Sequence, residues 1–280
     1  MRTDGDFGLQ GEPPTHPELL DWLAIRFIDS GWDVKSLLKL IVTSSAYRQS
    51  SNFTPQLRKL DPENRLLARG PRYRLPAELI RDQALALGGL LVEQVGGKSV
   101  KPYQPPGLWE AVSYNGNQTY LADDGADRYR RGIYTYWKRQ APPPNMLALD
   151  APTREVCTTR RARTNTPLQA LVLLNDPVFV EAARGLALRI MRESSSDTSA
   201  RVRFAFRTAT SRLPTTAEAA TLERLYLQQR EAYRDRESDA AAVSSLGEPK
   251  SLDGLDAGDL AAWTVVAGVL LNLDEVVTQN

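Results

Sequence analysis

Apolar residues recur at helical spacing in the first third of the chain. The stretch THPE at 15–18 has the pattern of a capping box, so we predict a helix start there. The apolar stripe of this helix comprises Leu19, Leu20, Leu23, Ala24, Phe27 and Ile28. Asp33 can cap a second helix that ends near Tyr47. Two helices joined by a short link predict an antiparallel pair.

Helical patterns also lie further along the chain. Pro76 opens a third helix, which we expect to end at Gly96-Gly97, and Gly88-Gly89 inside it predicts close packing against another helix. Further helices are predicted from Pro167, from Asp176-Pro177, over about 198 to 210, from a second capping box at Thr215 and Glu218 to about Asp235, and over 257–273. Residues 15–97 and 164–280 are therefore expected to be helical.

Between residues 101 and 150 the helical periodicity disappears among prolines and aromatic residues. GIYTYWKR at 132–139 alternates as a strand does and consists of residues that favour strands. Its predicted partner is EAVSYN at 110–115, or a continuation to Tyr120, joined through the acidic loop at 123–125. The predicted fold class is mainly α, an α-rich α+β fold. We expect one domain over 1–280, with a small antiparallel β-sheet of two or three strands inserted mid-chain.

Composition and charge exclude several classes of protein. Lys and Arg total 35 against 34 for Asp and Glu, so no net field would concentrate nucleic acid, and no nucleic-acid partner is expected. Cys157 is the single cysteine and His16 the single histidine. This excludes an internal disulfide, thiolate-rich or two-histidine metal sites, and a covalently attached c-type haem. No metal site is predicted.

The most apolar stretch, residues 260–273, is shorter than the roughly 20 residues that span a bilayer. We interpret it as a buried helix and expect no membrane span. The first residues, MRTDGDFGLQ, show neither the basic start nor the apolar run of a signal peptide.

Arginines are concentrated just before the predicted helix start at Pro167. Within ten positions, next to Asn165, lie Arg154, Arg160, Arg161 and Arg163. Guanidinium groups beside a helix N-terminus can bind sulfate, phosphate or uronate. Alternatively, the same arginines fix a loop through Asp150, Glu155 and backbone carbonyls, which is the interpretation we favour.

Several titratable residues are weak candidates for catalysis. They are Glu78, Asp82, Glu155 and His16, with Glu18 and Asp150 as further acids. A glycosidase needs two carboxyl groups about 5 to 10 Å apart across a sugar, and no second carboxylate is placed opposite Glu78 and Asp82. A lone histidine at a helix start is more readily explained by hydrogen bonding than by general-base catalysis. Cys157 has no base besides His16, and we expect it to be a buried small residue.

Aromatic and basic residues are mixed near residues 129–139. Tyr134, Tyr136 and Trp137, with the neighbouring arginines and lysine, have the composition of a sugar platform or of a single-stranded nucleic-acid groove. The alternative, which we favour, is that the aromatic side chains pack the segment onto helices while the basic ones face water. Neutral net charge weighs against nucleic acid more than against sugar.

Three long stretches of the chain resemble one known family. They are THPELLDWLAIRFIDSGWDVKSLLKLIVTSSAYRQSS, NRLLARGPRYRLPAELIRDQALALGGLL and YRRGIYTYWKRQAPPPNMLALDAPTREVCTTRRARTNTPLQALVLLND, and the terminal WTVVAGVLLNLDE extends the likeness. In order and length they resemble domain of unknown function 1553, which occurs in large planctomycete proteins.

The resemblance implies an exported, extracytoplasmic multidomain protein in which a planctomycete-type cytochrome c domain precedes this one. No cofactor is expected in this chain, and haem is expected only on a separate upstream domain or partner. The family pattern also normally continues N-terminal to DFGLQGEPPTHPE. We therefore expect the chain to begin inside the domain, with helices that expose apolar surface.

Together these features predict a non-catalytic interaction or scaffold domain. The partners considered are a c-type cytochrome domain or another protein module, and an anionic polysaccharide. The candidate ligand-binding residues are Arg154, Arg160, Arg161, Arg163, Asn165, Tyr134, Tyr136 and Trp137. The alternative is an enzyme that acts on complex or sulfated polysaccharides through paired carboxylates.

Overall fold

The computed structural model describes residues 3, 5–6, 9–247 and 254–279, which form two compact units. The first unit comprises the described residues of 1–73, 158–160 and 278–280, and the second those of 74–157 and 161–277. That the whole chain forms one domain stays a prediction.

The first unit contains a helical hairpin. Its helices are α1 (Pro17–Asp29), α2 (Val34–Thr43) and α3 (Pro55–Leu60). The Asp33 carboxylate accepts a hydrogen bond from the Ser36 amide at 3.0 Å, which confirms the predicted start of α2. The capping box predicted at 15–18 is wrong, because the N-cap residue of α1 is His16 and its side chain bonds no helix amide. Pro17 still fits the first turn, where its missing amide hydrogen costs nothing.

The second unit is built from ten helices within the described residues. They are α4 (Ala77–Leu87), α5 (Leu108–Ala111), α6 (Pro144–Ala148), α7 (Pro167–Asn175), α8 (Pro177–Glu193), α9 (Thr198–Thr210), α10 (Thr216–Arg234), α11 (Glu237–Ser244), α12 (Ala257–Leu271) and α13 (Asp274–Val277). Side-chain caps start several of them as predicted, including Asp176 on α8 and the complete capping box of Thr215 and Glu218 on α10.

The core of this unit lies between α8 and α12. Trp263 and Leu260 of α12 are fully buried, as are Leu186 and Ile190 of α8. Helices α9 and α10 pack onto the same pair, and the Tyr226 ring of α10 stacks on Trp263 at 4.4 Å between centroids. The apolar stretch near the C-terminus is therefore a buried helix, as predicted. Over the described ranges, no helix combines the length and apolar character that crossing a membrane requires.

Helix α4 ends earlier than predicted. It stops at Leu87, Gly88 is its C-cap residue, and Gly89 has a φ of 71°, which closes the helix well before Gly96-Gly97. The close packing expected of the glycine pair is present. A Cβ on Gly88 would lie 2.6 Å from the Ala182 carbonyl oxygen, and a Cβ on Gly185 would meet the Gly88 backbone.

The small sheet lies elsewhere than predicted. The α-rich fold class with a small antiparallel sheet is confirmed, but its two strands are β1 (Tyr73–Arg74) and β2 (Thr278–Gln279). The strands predicted at 110–115 and 132–139 are wrong, because α5 and a turn occupy the first and a 3₁₀ helix, Gly132–Tyr134, begins the second. A second 3₁₀ helix spans Gly125–Tyr129.

Burial explains why the alternating pattern at 132–139 does not correspond to a strand. Ile133 is 71% exposed whereas Thr135 is buried, so the residues on one side of the alternation do not share one environment. The segment is instead held by individual backbone bonds. Val100 donates to the Tyr134 carbonyl at 2.8 Å and accepts from the Tyr136 amide at 2.7 Å, which makes an isolated parallel bridge rather than a sheet.

Gly88→Ala is expected to lower the free energy of unfolding by about 1–3 kcal/mol, because the added methyl group overlaps the backbone of α8. Urea unfolding monitored by circular dichroism measures this change. Gly268→Ala is the matched control. Its Cβ would meet only the Ala183 Cβ at 4.0 Å, so helix propensity should make it neutral or slightly stabilising. Equal destabilisation by both variants would contradict the close contact at Gly88.

Candidate functional site

The loop that carries the arginines is held by one carboxylate. Asp150 follows α6 with a φ of 64° and accepts hydrogen bonds from the Thr164 amide at 2.6 Å and the Gln169 side-chain amide at 3.1 Å. Gln169 lies in the first turn of α7 and is fully buried. The Asp150 carboxylate therefore ties the segment before α7 to a buried side chain of its first turn.

Two of the four arginines have partners within the second unit. The Arg161 guanidinium pairs with the Glu78 carboxylate of α4 at 2.7 Å. The Arg154 guanidinium lies 4.5 Å from the centroid of the Trp137 ring, a cation–π contact. Trp137 in turn donates its indole N–H to the Thr153 carbonyl at 3.0 Å. These contacts hold the loop through Glu78 and Trp137, and not through the Asp150 and Glu155 pairs that the sequence suggested for the arginines.

The remaining candidate residues of this loop are Arg160, Arg163 and Asn165. Arg160 belongs to the first unit, whereas Arg163 belongs to the second, and both are exposed. The Asn165 side-chain oxygen accepts a hydrogen bond from Arg74 at 3.2 Å. Arg154 and Arg161, two of the four arginines of the alternative anion site, therefore make separate contacts with different partners.

Two of the carboxylate candidates, Asp82 and Glu78, are bound by neighbouring groups. Asp82 accepts a hydrogen bond from the Gly132 amide at 2.6 Å and lies 3.6 Å from the Arg81 guanidinium. Burial raises the pKa of Asp82 above its usual range, while the Gly132 amide and Arg81 oppose that rise. Glu78, one turn earlier, is held by Arg161. Glu155 has an exposed side chain.

The candidates outside these contacts lie near the surface. The His16 Nδ1 atom is 3.0 Å from the Thr15 hydroxyl, and Glu18 is exposed on α1. Cys157 is exposed, so the expectation that it is a buried small residue is wrong.

A buried group of charges around Arg81 was not predicted from the sequence. This residue is 2% exposed and donates to the Arg130 and Arg128 carbonyls, each at 2.7 Å. Burial raises the pKa of Asp176 and of Glu181, and Glu181 pairs with Arg128 at 3.2 Å. The only signal in the sequence is an arginine directly after Ile80, within the apolar stripe of α4. These residues attach the 128–132 segment to α4 and α8.

The predicted aromatic platform is divided among different contacts. The Tyr134 hydroxyl accepts a hydrogen bond from the Gly96 amide at 2.8 Å, and the Arg130 guanidinium stacks on its ring at 4.1 Å. The Tyr136 ring lies 5.7 Å from Trp109, whereas Trp137 carries Arg154. Among the described residues, no group of three or more acidic, histidine or cysteine side chains could hold a metal ion.

Comparison with known proteins decides the family. The chain matches the family described as Protein of unknown function (DUF1553) over residues 1–226. The chain belongs to the DUF1553 family. No curated protein matches it, and no solved structure matches it.

In this DUF1553 chain, Arg161→Gln is expected to lower the free energy of unfolding by about 1 kcal/mol, because it leaves the largely buried Glu78 carboxylate without its partner. Chemical denaturation measures the change. Arg160→Gln is the control, since Arg160 makes no ion pair with the described part of the chain. Equal free energies of unfolding for the two variants would show that the Arg161–Glu78 contact does not stabilise the fold.

Asp82→Asn is expected to change how the stability of this DUF1553 chain depends on pH. The pKa of Asp82 is raised in the folded state. The stability that Asp82 contributes is therefore fully present below about pH 4, near the ordinary pKa of an aspartate, and is lost as the pH rises through the raised pKa. The asparagine stays neutral and its oxygen can still accept from Gly132. Relative to wild type, the variant should therefore gain stability between pH 4 and pH 7. A difference that does not change with pH would contradict the raised pKa.

Proposed function

We propose that this DUF1553 chain is a non-catalytic domain that binds another protein through the hairpin of α1 and α2. One observation carries the proposal. Both helices lie wholly within the described residues, and neither contains a buried residue. The exposed large apolar side chains of this hairpin are Leu19, Leu20, Trp22, Ile25, Ile28, Trp32, Val34, Leu38, Leu40, Ile41 and Val42.

Such exposure is unusual for a helix pair in water. A helix with apolar residues around much of its circumference is normally covered on more than one side. Contiguous apolar patches larger than a few hundred Å² mark interaction sites in soluble proteins. Trp22 and Trp32 are about half to two-thirds exposed, and tryptophan is the side chain most enriched among the residues that dominate binding energy.

Charge around the hairpin supports a protein partner over an anionic ligand. Helix α1 carries Glu18, Asp21 and Asp29 against Arg26, whereas α2 carries Lys35 and Lys39 with no acid inside the helix. A surface with an apolar centre and charges of both signs at its edges suits a protein interface. The partner we propose is a c-type cytochrome domain of an exported, extracytoplasmic protein, which carries the haem that this chain lacks residues to attach covalently.

The rival function, an enzyme acting on complex or sulfated polysaccharides, finds less support. A glycosidase requires one carboxyl group as acid and another as base or nucleophile on either side of the bond that is cleaved. Asp82 and Glu78 lie on the same helix and already bind the Gly132 amide and the Arg161 guanidinium. Asp150 is used by Thr164 and Gln169. None of the three is left free for a sugar.

The test is titration calorimetry of the chain with a purified planctomycete-type cytochrome c domain. Trp22→Ser/Ile25→Ser is expected to weaken binding at least tenfold, because it removes two exposed apolar side chains from the centre of the surface. The control is Leu168→Ser/Leu171→Ser, which removes two equally exposed apolar side chains from α7. Absence of binding by the wild type, or equal loss in both variants, would overturn the proposal.

A further inference from the structure

Two lysines lie over one tryptophan ring in the 101–138 segment. The Lys138 ammonium is 4.4 Å and the Lys101 ammonium 5.6 Å from the centroid of Trp109. Lys101 is also 5.6 Å from the ring of Tyr136. Tyr120 contacts the edge of Trp109, with 5.2 Å between centroids. Two positive charges are therefore gathered on a small aromatic cluster.

Backbone contacts hold this cluster in place. Lys101 and Asp123 are joined twice, since the Asp123 amide donates to the Lys101 carbonyl at 2.8 Å and the Lys101 amide donates to the Asp123 carboxylate at 2.7 Å. The Tyr120 hydroxyl donates to the Pro102 carbonyl. The parallel bridge of Val100 with Thr135 fixes the chain on the Tyr136 side. The two lysines thus project from anchored backbone rather than from a free loop.

The two lysines differ from Arg161 and Arg128 in making no ion pair within the described residues. Within the described residues neither ammonium makes an ion pair, and Lys138 donates only to the neutral Gln118 side chain. Arg161 and Arg128, in contrast, each pair with a carboxylate. Two ammonium groups over one ring repel each other, and a bound anion would lower that cost.

Buried polar atoms beside the lysines also lack partners. Trp109 is 8% exposed, and its indole N–H finds no acceptor among the described residues. A buried donor without an acceptor costs about 1–3 kcal/mol, so such groups usually bind a ligand or water. The ammonium groups and the indole N–H are all donors and all lack negative oxygen. In the same segment, the buried Gln104 side-chain oxygen and Thr135 hydroxyl are unpartnered as well.

We propose that Lys101, Lys138 and Trp109 form a binding site for the sulfate or carboxylate group of an acidic saccharide. The oxyanion accepts from both ammonium groups and from the indole N–H, which removes the charge imbalance and the unsatisfied donor together. Tyr136, which is 39% exposed, offers an adjoining ring against which the apolar face of a sugar packs.

The experiment is titration calorimetry of the full chain with a sulfated glucose oligosaccharide, its unsulfated counterpart and inorganic sulfate. The sulfated oligosaccharide should bind, inorganic sulfate should compete weakly, and the unsulfated sugar should not bind. Lys101→Gln/Lys138→Gln should lower affinity at least tenfold, and Trp109→Phe, which keeps the ring but removes the N–H, should lower it several-fold.

Lys98→Gln is the matched control, since Lys98 lies in the same region, is highly exposed and pairs with Asp127 at 3.6 Å. The affinity of this variant for the sulfated oligosaccharide should stay within twofold of that of the wild type. Equal losses of affinity in the control and the double variant would mean that the sulfated sugar is attracted non-specifically, which would overturn the proposed site. Binding by the double variant at wild-type affinity, no binding by the wild type, or tighter binding of a single-stranded oligonucleotide than of the sulfated sugar would each overturn it too.

Discussion

Helix α8 buries 12 of its 17 residues and helix α12 buries 9 of its 15, so each is covered around most of its circumference. Many of these residues are alanine or glycine, which allow backbones to come close, as Gly185 does with Gly88. Large side chains such as Trp263 and Phe179 fill the remaining space. The other elements of the second unit are arranged around this pair. Helices α9, α10 and α11 pack onto α12 and helices α4 and α7 onto α8.

The irregular middle of the chain depends on that frame through buried arginines rather than through a sheet. Arg81 projects from α4 to the carbonyls at 128 and 130, and Arg130 donates to the Lys98 and Gln94 carbonyls. One guanidinium offers five donors, so a few arginines replace the hydrogen bonds that a strand ladder would supply. This arrangement leaves the aromatic and lysine side chains of the segment on an anchored backbone.

The helices could be predicted from the sequence because their information is local. Caps such as Asp33, Asp176 and Thr215 and the apolar spacing after them define most helix starts. The strand at 132–139 was predicted wrongly, because an alternating pattern belongs to one segment and does not show whether a partner strand lies beside it. The arginine partners were equally hidden, because Arg161 and Glu78 are 83 positions apart. The expectation of exposed apolar helices came from family likeness and not from the periodicity itself.

The two units differ in how they are stabilised, and this difference underlies the proposed function. The second unit buries α8 and α12 in its own core, whereas neither α1 nor α2 contains a buried residue. Amide hydrogen exchange of the free chain, resolved by mass spectrometry, tests this contrast most directly. We expect slow exchange in α8 and α12 and exchange at least a hundredfold faster in α1 and α2. This ratio corresponds to about 2.7 kcal/mol less protection of the hairpin amides. Equal protection of all four helices would contradict it, because α1 and α2 would then already be buried without a partner.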